Sequence, residues 1–235
     1  PATLNDYANM ISAAIALHQT THNTTYIDAA TGWAAILDTH YWDETAGGYY
    51  LTADDTVDVI LRVKSAADDA APNGNGTMIS ALVHLFLLTG EQKHLGRAEA
   101  LLEAFTTDVF QNPVAQAGLL SGALDILSPQ HVVVLGLDDE RTKNLLATTA
   151  KVSMPGMLLQ LLPDASSVPK TSPTAGKTMS DGVATAYVCT GQTCSLPQTV
   201  PDGFEKILRA ARLINVAQNA PANEPEKAIN PTSDA

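Results

Sequence analysis

An approximate internal repeat constrains the fold of this chain more than any other feature. Residues 10–13 and 78–81 both have the sequence MISA, and an offset of 68 positions aligns the segments around them without a gap. In each copy a strongly apolar segment is followed by an amphipathic one. A helix that is apolar all round is buried, whereas an amphipathic helix covers a core from outside. The repeat therefore predicts pairs of inner and outer helices.

Five helices are predicted in the first half of the chain. Leu4–His18 carries apolar residues on two faces, so both faces are expected to be buried, and Thr25–Tyr41 is amphipathic. Thr77–Leu88 is apolar nearly all round, and Glu91–Phe110 is amphipathic. Pro113–Leu127 is apolar and rich in alanine and glycine, which permits close packing. This alternation is typical of an α/α toroid, in which inner helices surround an axis and outer helices wrap them.

The pattern changes after Ser128 and indicates a small α/β unit. Strands are predicted at 131–135, 157–162 and 185–189, and helices at 138–151 and 202–216, with Asp202 as the N-cap of the last helix. The expected fold class is mainly α. It consists of a partial α/α toroid with a β-hairpin (residues 1–128), a small α/β appendage (129–217) and an extended or disordered tail (218–235).

The predicted toroid is incomplete, because the chain supplies about three inner helices. Their uncovered faces would expose more apolar surface than monomers usually tolerate. We therefore expect another chain or an N-terminal segment to complete the ring.

Composition excludes two classes of partner. The net charge is −12, so an acidic surface would repel nucleic acid and anionic membranes. No apolar run approaches the roughly 20 residues that a membrane span requires. Cys189 and Cys194, the two cysteines, are too few for a disulfide scaffold. They form either a local disulfide or two thiols, and a structural role is the better interpretation.

The polar segment Arg62–Gly76 is the candidate site, because loops that lead into rigid helices often carry binding groups. It follows a predicted hairpin, Asp43–Asp55, in which Gly47-Gly48 forms the turn and Tyr49–Leu51 a returning strand. The repeat also places Asn5 and Asn73 at equivalent helix starts, which share one rim of a toroid.

The residues at this rim suit a sugar site. Paired carboxylates can act as general acid and base at a glycosidic bond, so the predicted catalytic residues are Asp6, Asp68 and Asp69. The predicted substrate-binding residues are Tyr7, Tyr49, Arg62, Lys64, Asn73 and Asn75. The alternative is structural: Asn5, Asp6 and Asn73 would be helix caps, and the tyrosines would be packing residues.

No metal and no cofactor are expected, because the six histidines form no ligand-spaced cluster and neither HExxH nor CxxC occurs. His84 is the histidine to examine, although it is more typical of a core histidine than of a base.

Six segments occur together in an order that resembles one family: LNDYA, WDETAGGYYLT, RVKSAADDAAPNGN, LLTG, HVVVLG and TAYVCTGQTCSLP. They are similar to the C-terminal part of the thioredoxin-domain-containing YyaL and spermatogenesis-associated protein 20 family. The resemblance implies a six-hairpin glycosidase-like toroid, from which the N-terminal thioredoxin-like domain and the first hairpins are absent here. The family loop carries an acidic residue where this chain has Ser65, and this difference weighs against inherited catalysis.

Three functional hypotheses follow. The first is a carbohydrate-active domain of hydrolase or epimerase type that works with a thioredoxin-like part. The second is a non-catalytic structural subunit that assembles with other chains. The third is redox work, which requires Cys189 and Cys194 to be exposed and reversibly oxidised.

Overall fold

The computed structural model describes residues 2–164, 168, 170–191 and 193–218, with side chains up to residue 211. The helices are α1 (Leu4–Thr21), α2 (Thr25–His40), α3 (Gly74–Thr89), α4 (Gln92–Ala104), α5 (Thr106–Gln111), α6 (Ala117–Leu127), α7 (Glu140–Ala150) and α8 (Pro201–Gln218). The strands are β1 (Gln130–Leu135), β2 (Leu158–Leu162), β3 (Thr185–Thr190) and β4 (Thr193–Cys194). The prediction of a mainly α fold with a small sheet is confirmed.

The first helices form an inner row and an outer row. Helix α3 packs between α1 and α6, while α2 packs on α1 and α4 on α3. Equivalent positions of the repeat are equally buried: Ile11 and Ile79 are both fully buried, as are Ala30 and Ala98. The inner and outer order predicted from the repeat is therefore present in these five helices.

Helix α3 is the centre of the main core. Most of its side chains are buried, which is why its sequence is apolar on every side. Two glycines allow α3 and α6 to pack closely. A Cβ atom on Gly122 would lie 2.6 Å from the Cβ of Ile79, and one on Gly76 would lie 2.8 Å from the backbone nitrogen of Leu119. The two helices approach at these positions because neither glycine has a side chain.

One face of α1 departs from the prediction. Leu4, Ile11 and Ile15 are buried as expected, but Met10 is 51% exposed and Leu17 is 45% exposed. The expectation of burial on two faces is wrong for the described chain, because no described element packs on this side of α1. An apolar face is left uncovered.

Two predicted elements are interrupted. The helix predicted at Glu91–Phe110 breaks at Phe105, whose φ of −115° and ψ of 13° are not helical. Pro113–Leu127 begins as a 3₁₀ turn, Pro113–Gln116, before α6.

The predicted hairpin is reduced to one isolated bridge between Trp42 and Tyr49. The prediction of a returning strand at Tyr49–Leu51 is wrong, because the backbone N–H of Leu51 donates to the carbonyl of Val63 instead.

The sheet has the order β2-β1-β3-β4, with β1 parallel to β2 and antiparallel to β3. All six residues of β1 are buried, as expected for a central strand with both faces covered. On one face Val132 and Val134 form a core with Phe204 and Leu208 of α8. The three predicted strands and the helices at 138–151 and 202–216 are confirmed within a few residues. Helix α8 begins at Pro201, so Asp202 lies in its first turn and is not the N-cap. The predicted tail lies outside the described residues, apart from Gln218.

We expect Gly122→Ala to destabilise the chain, because the new methyl group overpacks the contact of α6 with Ile79. Gly96→Ala is the matched control: it lies inside α4 with no atom within 4 Å of its added Cβ, so only the higher helix propensity of alanine acts. Urea unfolding followed by circular dichroism should separate the two variants by about 2 kcal/mol, with Gly96→Ala the more stable. Equal stabilities would contradict the close approach.

Candidate functional site

The cations of the loop Arg62–Gly76 bind the turn that precedes it. Lys64 forms an ion pair with Asp43 at 2.6 Å and donates to the carbonyl of Gly47 at 2.6 Å. Arg62 donates to the carbonyls of Thr52 and His40, at 3.0 and 2.8 Å. The hydrogen bond from Lys64 and those from the turn backbone hold the pKa of the Asp43 carboxyl far below its usual range. Both predicted substrate-binding cations therefore hold the loop in place.

The three predicted catalytic carboxylates occupy different environments. Asp6 accepts from the Thr3 backbone at 2.7 Å in a capping box at the start of α1, and these hydrogen bonds lower its pKa. Asp68 accepts from the backbone N–H of Asn73 at 2.8 Å and of Gly118 at 2.6 Å, one with each oxygen. Asp69 is exposed. The contacts of Asp6 and Asp68 are structural, and the catalytic role of all three stays a prediction.

Asn75 is the most enclosed polar side chain of the loop, with no solvent exposure. Its Oδ1 accepts from the N–H of Tyr49 at 2.9 Å, and its Nδ2 donates to the carbonyls of Tyr49 at 3.0 Å and Ser65 at 2.8 Å. One amide thus satisfies three backbone groups of the turn and the loop. Asn73 caps α3 as the structural alternative predicted, and Asn5 accepts from the first N–H of the same helix, at Gly74, at 2.9 Å.

The predicted tyrosines are packed. Tyr49 is fully buried, and its hydroxyl donates to Asp38 at 2.6 Å. Burial, with the negative charge of Asp38, raises the pKa of this phenol well above its usual value. Tyr7 packs edge to face on Tyr41, with ring centroids 5.8 Å apart. The structure therefore does not bring these tyrosines and the three carboxylates together as one open site.

A groove of about 420 Å³ lies instead along the inner row of helices; we call it the inner groove. Its polar lining consists of Ser12, Gln19, Thr77, Ser80, His84 and Ser121. Pro72 and Gly76 of the predicted loop also line it, as does Gly118, whose N–H binds Asp68. The sequence prediction therefore identified a loop that borders the groove and singled out His84, but it did not identify the other polar side chains that line the groove.

A carboxyl group missed by the sequence analysis lies beside this groove. Asp125 of α6 is half-buried, and burial raises its pKa, against the opposing effects of a hydrogen bond with Ser80 and the charge of His84. The Nε2 atom of His84 lies 3.2 Å from the carbonyl of Gly156. A raised carboxyl pKa beside a histidine is a feature of functional sites as well as of buried ion pairs. The signal in the sequence was a lone carboxylate inside the apolar stretch 117–127.

Two other groups bear on the predictions. His40, Asp54 and Asp55 lie close enough for their ligand atoms to share an ion, a grouping that sequence spacing did not suggest, but both carboxylates are exposed. Exposed acidic groups of this kind are common without a metal.

Cys189 and Cys194 form a disulfide, with Cys189 buried and Cys194 exposed. Among the described residues, no helix has the length and apolarity needed to cross a membrane.

Comparison with known proteins identifies similar sequences. The chain is 29% identical to spermatogenesis-associated protein 20 of Rattus norvegicus over 215 residues, which cover 87% of this chain and 27% of that protein. The protein of the same name from Homo sapiens gives the same values, and that of Mus musculus is 28% identical over 224 residues. The chain thus spans about a quarter of the length of these relatives. No protein-family model matches it. The resemblance inferred from the six segments is consistent with this similarity.

We expect Asn75→Ala to be among the most destabilising single substitutions in this chain. It leaves two backbone carbonyls and one N–H without the partner that the amide supplies, and each such loss costs about 1–3 kcal/mol. Urea unfolding should show a loss of about 3 kcal/mol or more. Asn9→Ala, which removes one exposed hydrogen bond to Asn5, is the control and should change stability by less than about 0.5 kcal/mol. Similar losses in the two variants would contradict the role given to Asn75.

Proposed function

We propose that this chain is the C-terminal part of a six-hairpin glycosidase-like α/α toroid, and that its inner groove binds a small carbohydrate. The proposal includes a ring completed by helices outside this sequence, beside a thioredoxin-like part. The inner and outer order of α1, α2, α3, α4 and α6 supports the toroid. The similarity to a relative that is more than three times as long supports a part outside this sequence.

The observation that carries the proposal is the chemistry of the inner groove. The inner helices α1, α3 and α6 direct hydroxyl groups, an amide and an imidazole to one groove. Sugars offer many hydroxyl groups that both donate and accept, so a lining of this kind complements them. Gln19 is already oriented, because its Oε1 accepts from the N–H of Leu159 at 2.8 Å, which leaves its amide nitrogen for a ligand.

Asp125 and His84 are the candidates for the acid and the base at the groove. Burial raises the pKa of the Asp125 carboxyl, and a carboxyl group with a raised pKa is the type of general acid that glycosidic chemistry uses. In this proposal Asp125 replaces Asp6 and Asp68 as the leading candidate for a general acid, since the oxygens of those two accept structural hydrogen bonds.

We expect sugars to bind the inner groove of the chain in its native polypeptide or complex. Saturation-transfer NMR with a panel of monosaccharides and disaccharides should show binding that weakens at least about ten-fold in the double variant Ser80→Ala, His84→Ala, since each lost hydrogen bond costs about 1 kcal/mol. His40→Ala, which lies outside the groove, is the control and should bind as the unmodified protein does. If no sugar binds, or if all three proteins bind alike, the carbohydrate proposal is wrong.

A second candidate function is assembly without catalysis. The specific observation that favours it is the uncovered apolar face of α1, where Met10 and Leu17 are about half exposed. Exposed apolar faces of this kind usually mark contacts with other protein surfaces. The structural hydrogen bonds of Asp6 and Asp68 favour the same interpretation, because they leave the rim carboxylates little freedom.

We expect Leu17→Glu to weaken the association of this chain with the part that completes the ring. A buried charge without a partner is strongly disfavoured, so native mass spectrometry should show the complex dissociating at concentrations at least about ten-fold higher than for the unmodified chain. The control is Ala16→Glu, on a neighbouring exposed position of α1, which should leave assembly largely intact. If the unmodified chain never associates, the assembly role and the ring are both contradicted, whereas sugar binding would still be testable.

A further inference from the structure

The α/β unit reaches the inner groove through one short stretch of backbone. Residues 156–159, which we call the 156–159 segment, follow α7 and include the first two residues of β2. The side chain of Leu158 is fully buried and belongs to the main core of the helices, together with Ile11 and Leu82. The backbone on either side of Leu158 is therefore anchored against the helical part.

Two polar side chains of the groove form hydrogen bonds with this segment. The Nε2 atom of His84 lies 3.2 Å from the carbonyl oxygen of Gly156. The backbone N–H of Leu159 donates to the Oε1 atom of Gln19 at 2.8 Å. His84 belongs to α3 and Gln19 to α1, and both line the inner groove. One segment of the α/β unit thus holds a groove side chain from each of two inner helices.

The contact with Gly156 determines where the hydrogen of the neutral His84 ring lies. A carbonyl oxygen carries no hydrogen, so it can only accept. The Nε2 atom must therefore be the donor, and in the neutral ring Nδ1 is then the acceptor. His84 consequently offers Nδ1 as the atom that accepts from a ligand or takes up a proton.

The contact with Leu159 orients Gln19 in the same way. Its Oε1 atom accepts from the segment, and no described residue accepts from its amide nitrogen. The amide nitrogen has only hydrogens to offer, so Gln19 is a donor to the groove while His84 is an acceptor. A sugar complements both side chains, since its hydroxyl groups donate as well as accept.

Glycine at position 156 keeps the carbonyl in place. Its φ of 75° lies in the left-handed region that favours glycine. A Cβ atom at this position would also collide with a carboxylate oxygen of Asp125. A side chain at position 156 would therefore move the carbonyl away from His84.

We propose that the 156–159 segment is the positioning element of the inner groove. It holds His84 as an acceptor through Nδ1 and Gln19 as a donor through its amide nitrogen, although none of its own residues lines the groove. The α/β unit thereby contributes to ligand specificity. This inference rests on the proposed function of the groove, but the orientation of the two side chains can be tested without a sugar.

The first test is the tautomer of His84 in the full chain labelled with ¹⁵N-histidine. Two-bond ¹H–¹⁵N correlation spectra at about pH 8.5, where an ordinary histidine is neutral, should show the ring hydrogen of His84 on Nε2 alone. Gly156→Ala should give a mixture of the two tautomers, because the carbonyl moves. Gly176→Ala is the matched control: Gly176 has a φ of +76° and no atom within 4 Å of its added Cβ, so this variant should leave the tautomer of His84 unchanged.

The positioning role is overturned if His84 of the unmodified chain carries its hydrogen on Nδ1 or shows both tautomers. It is also overturned if a folded Gly156→Ala has the same spectrum as the unmodified chain. Circular dichroism establishes whether each variant is folded. If Gly156→Ala does not fold, the tautomer of the unmodified chain and the variants of Gln19 decide.

The second test separates the two ends of the Gln19 amide. Gln19→Glu keeps an acceptor for the N–H of Leu159 and removes the donor, whereas Gln19→Ala removes both. The backbone amide resonance of Leu159 should therefore shift more in Gln19→Ala than in Gln19→Glu. Sugar binding should weaken at least about five-fold in Gln19→Glu, as expected for one lost hydrogen bond. Gln92→Glu adds the same charge at the exposed start of α4 and should bind as the unmodified chain does.

The outcomes distinguish this inference from the carbohydrate proposal. If no sugar binds while His84 shows the Nε2–H tautomer alone and Gly156→Ala changes it, the carbohydrate proposal fails and the positioning role stands. If sugars bind the unmodified chain, Gly156→Ala and Gln19→Glu equally well, the positioning role is wrong and the carbohydrate proposal survives.

Discussion

The amide of Asn75 is the interaction on which the arrangement of the helical part depends. It is fully buried at the start of α3 and pairs with backbone groups of Tyr49 and Ser65, so it ties the turn after α2 and the polar loop to the central helix. Asn73 and Asn5 add hydrogen bonds to the same helix start. Because unpaired buried backbone groups are costly, this connection has few alternatives of equal energy. The loop is therefore held in one position.

Close packing extends this order along the inner row. Gly76 and Gly122 allow α3 and α6 to approach until their backbones nearly touch, and α1 packs on the opposite side of α3. Helix α3 is consequently enclosed between the two. His84 of this helix lies on the inner groove, so the same rigid helix also positions the candidate site.

The polar loop shows why a site is harder to predict than a fold. Arg62, Lys64 and Asp68 have the residue types of a sugar site, but each forms its hydrogen bonds with backbone groups or with Asp43. Residue type alone cannot distinguish a ligand contact from a structural one, because both use the same donors and acceptors. Asp125 was overlooked for the converse reason: its environment is created by Ser80 and His84, which are more than forty positions away in the sequence.

The sequence by itself determined the helices, the three longer strands and the inner and outer order, because these follow from local periodicity and from a repeat of apolar positions. It also indicated capping as the alternative role of Asn73, since capping is a local interaction. Only the tertiary structure decided that one face of α1 is uncovered and that Asn75 is buried. It also decided that His84 and Asp125 lie close together beside the inner groove. These properties depend on which distant segments pack together, and that packing is the sum of many contacts that no single stretch of sequence contains.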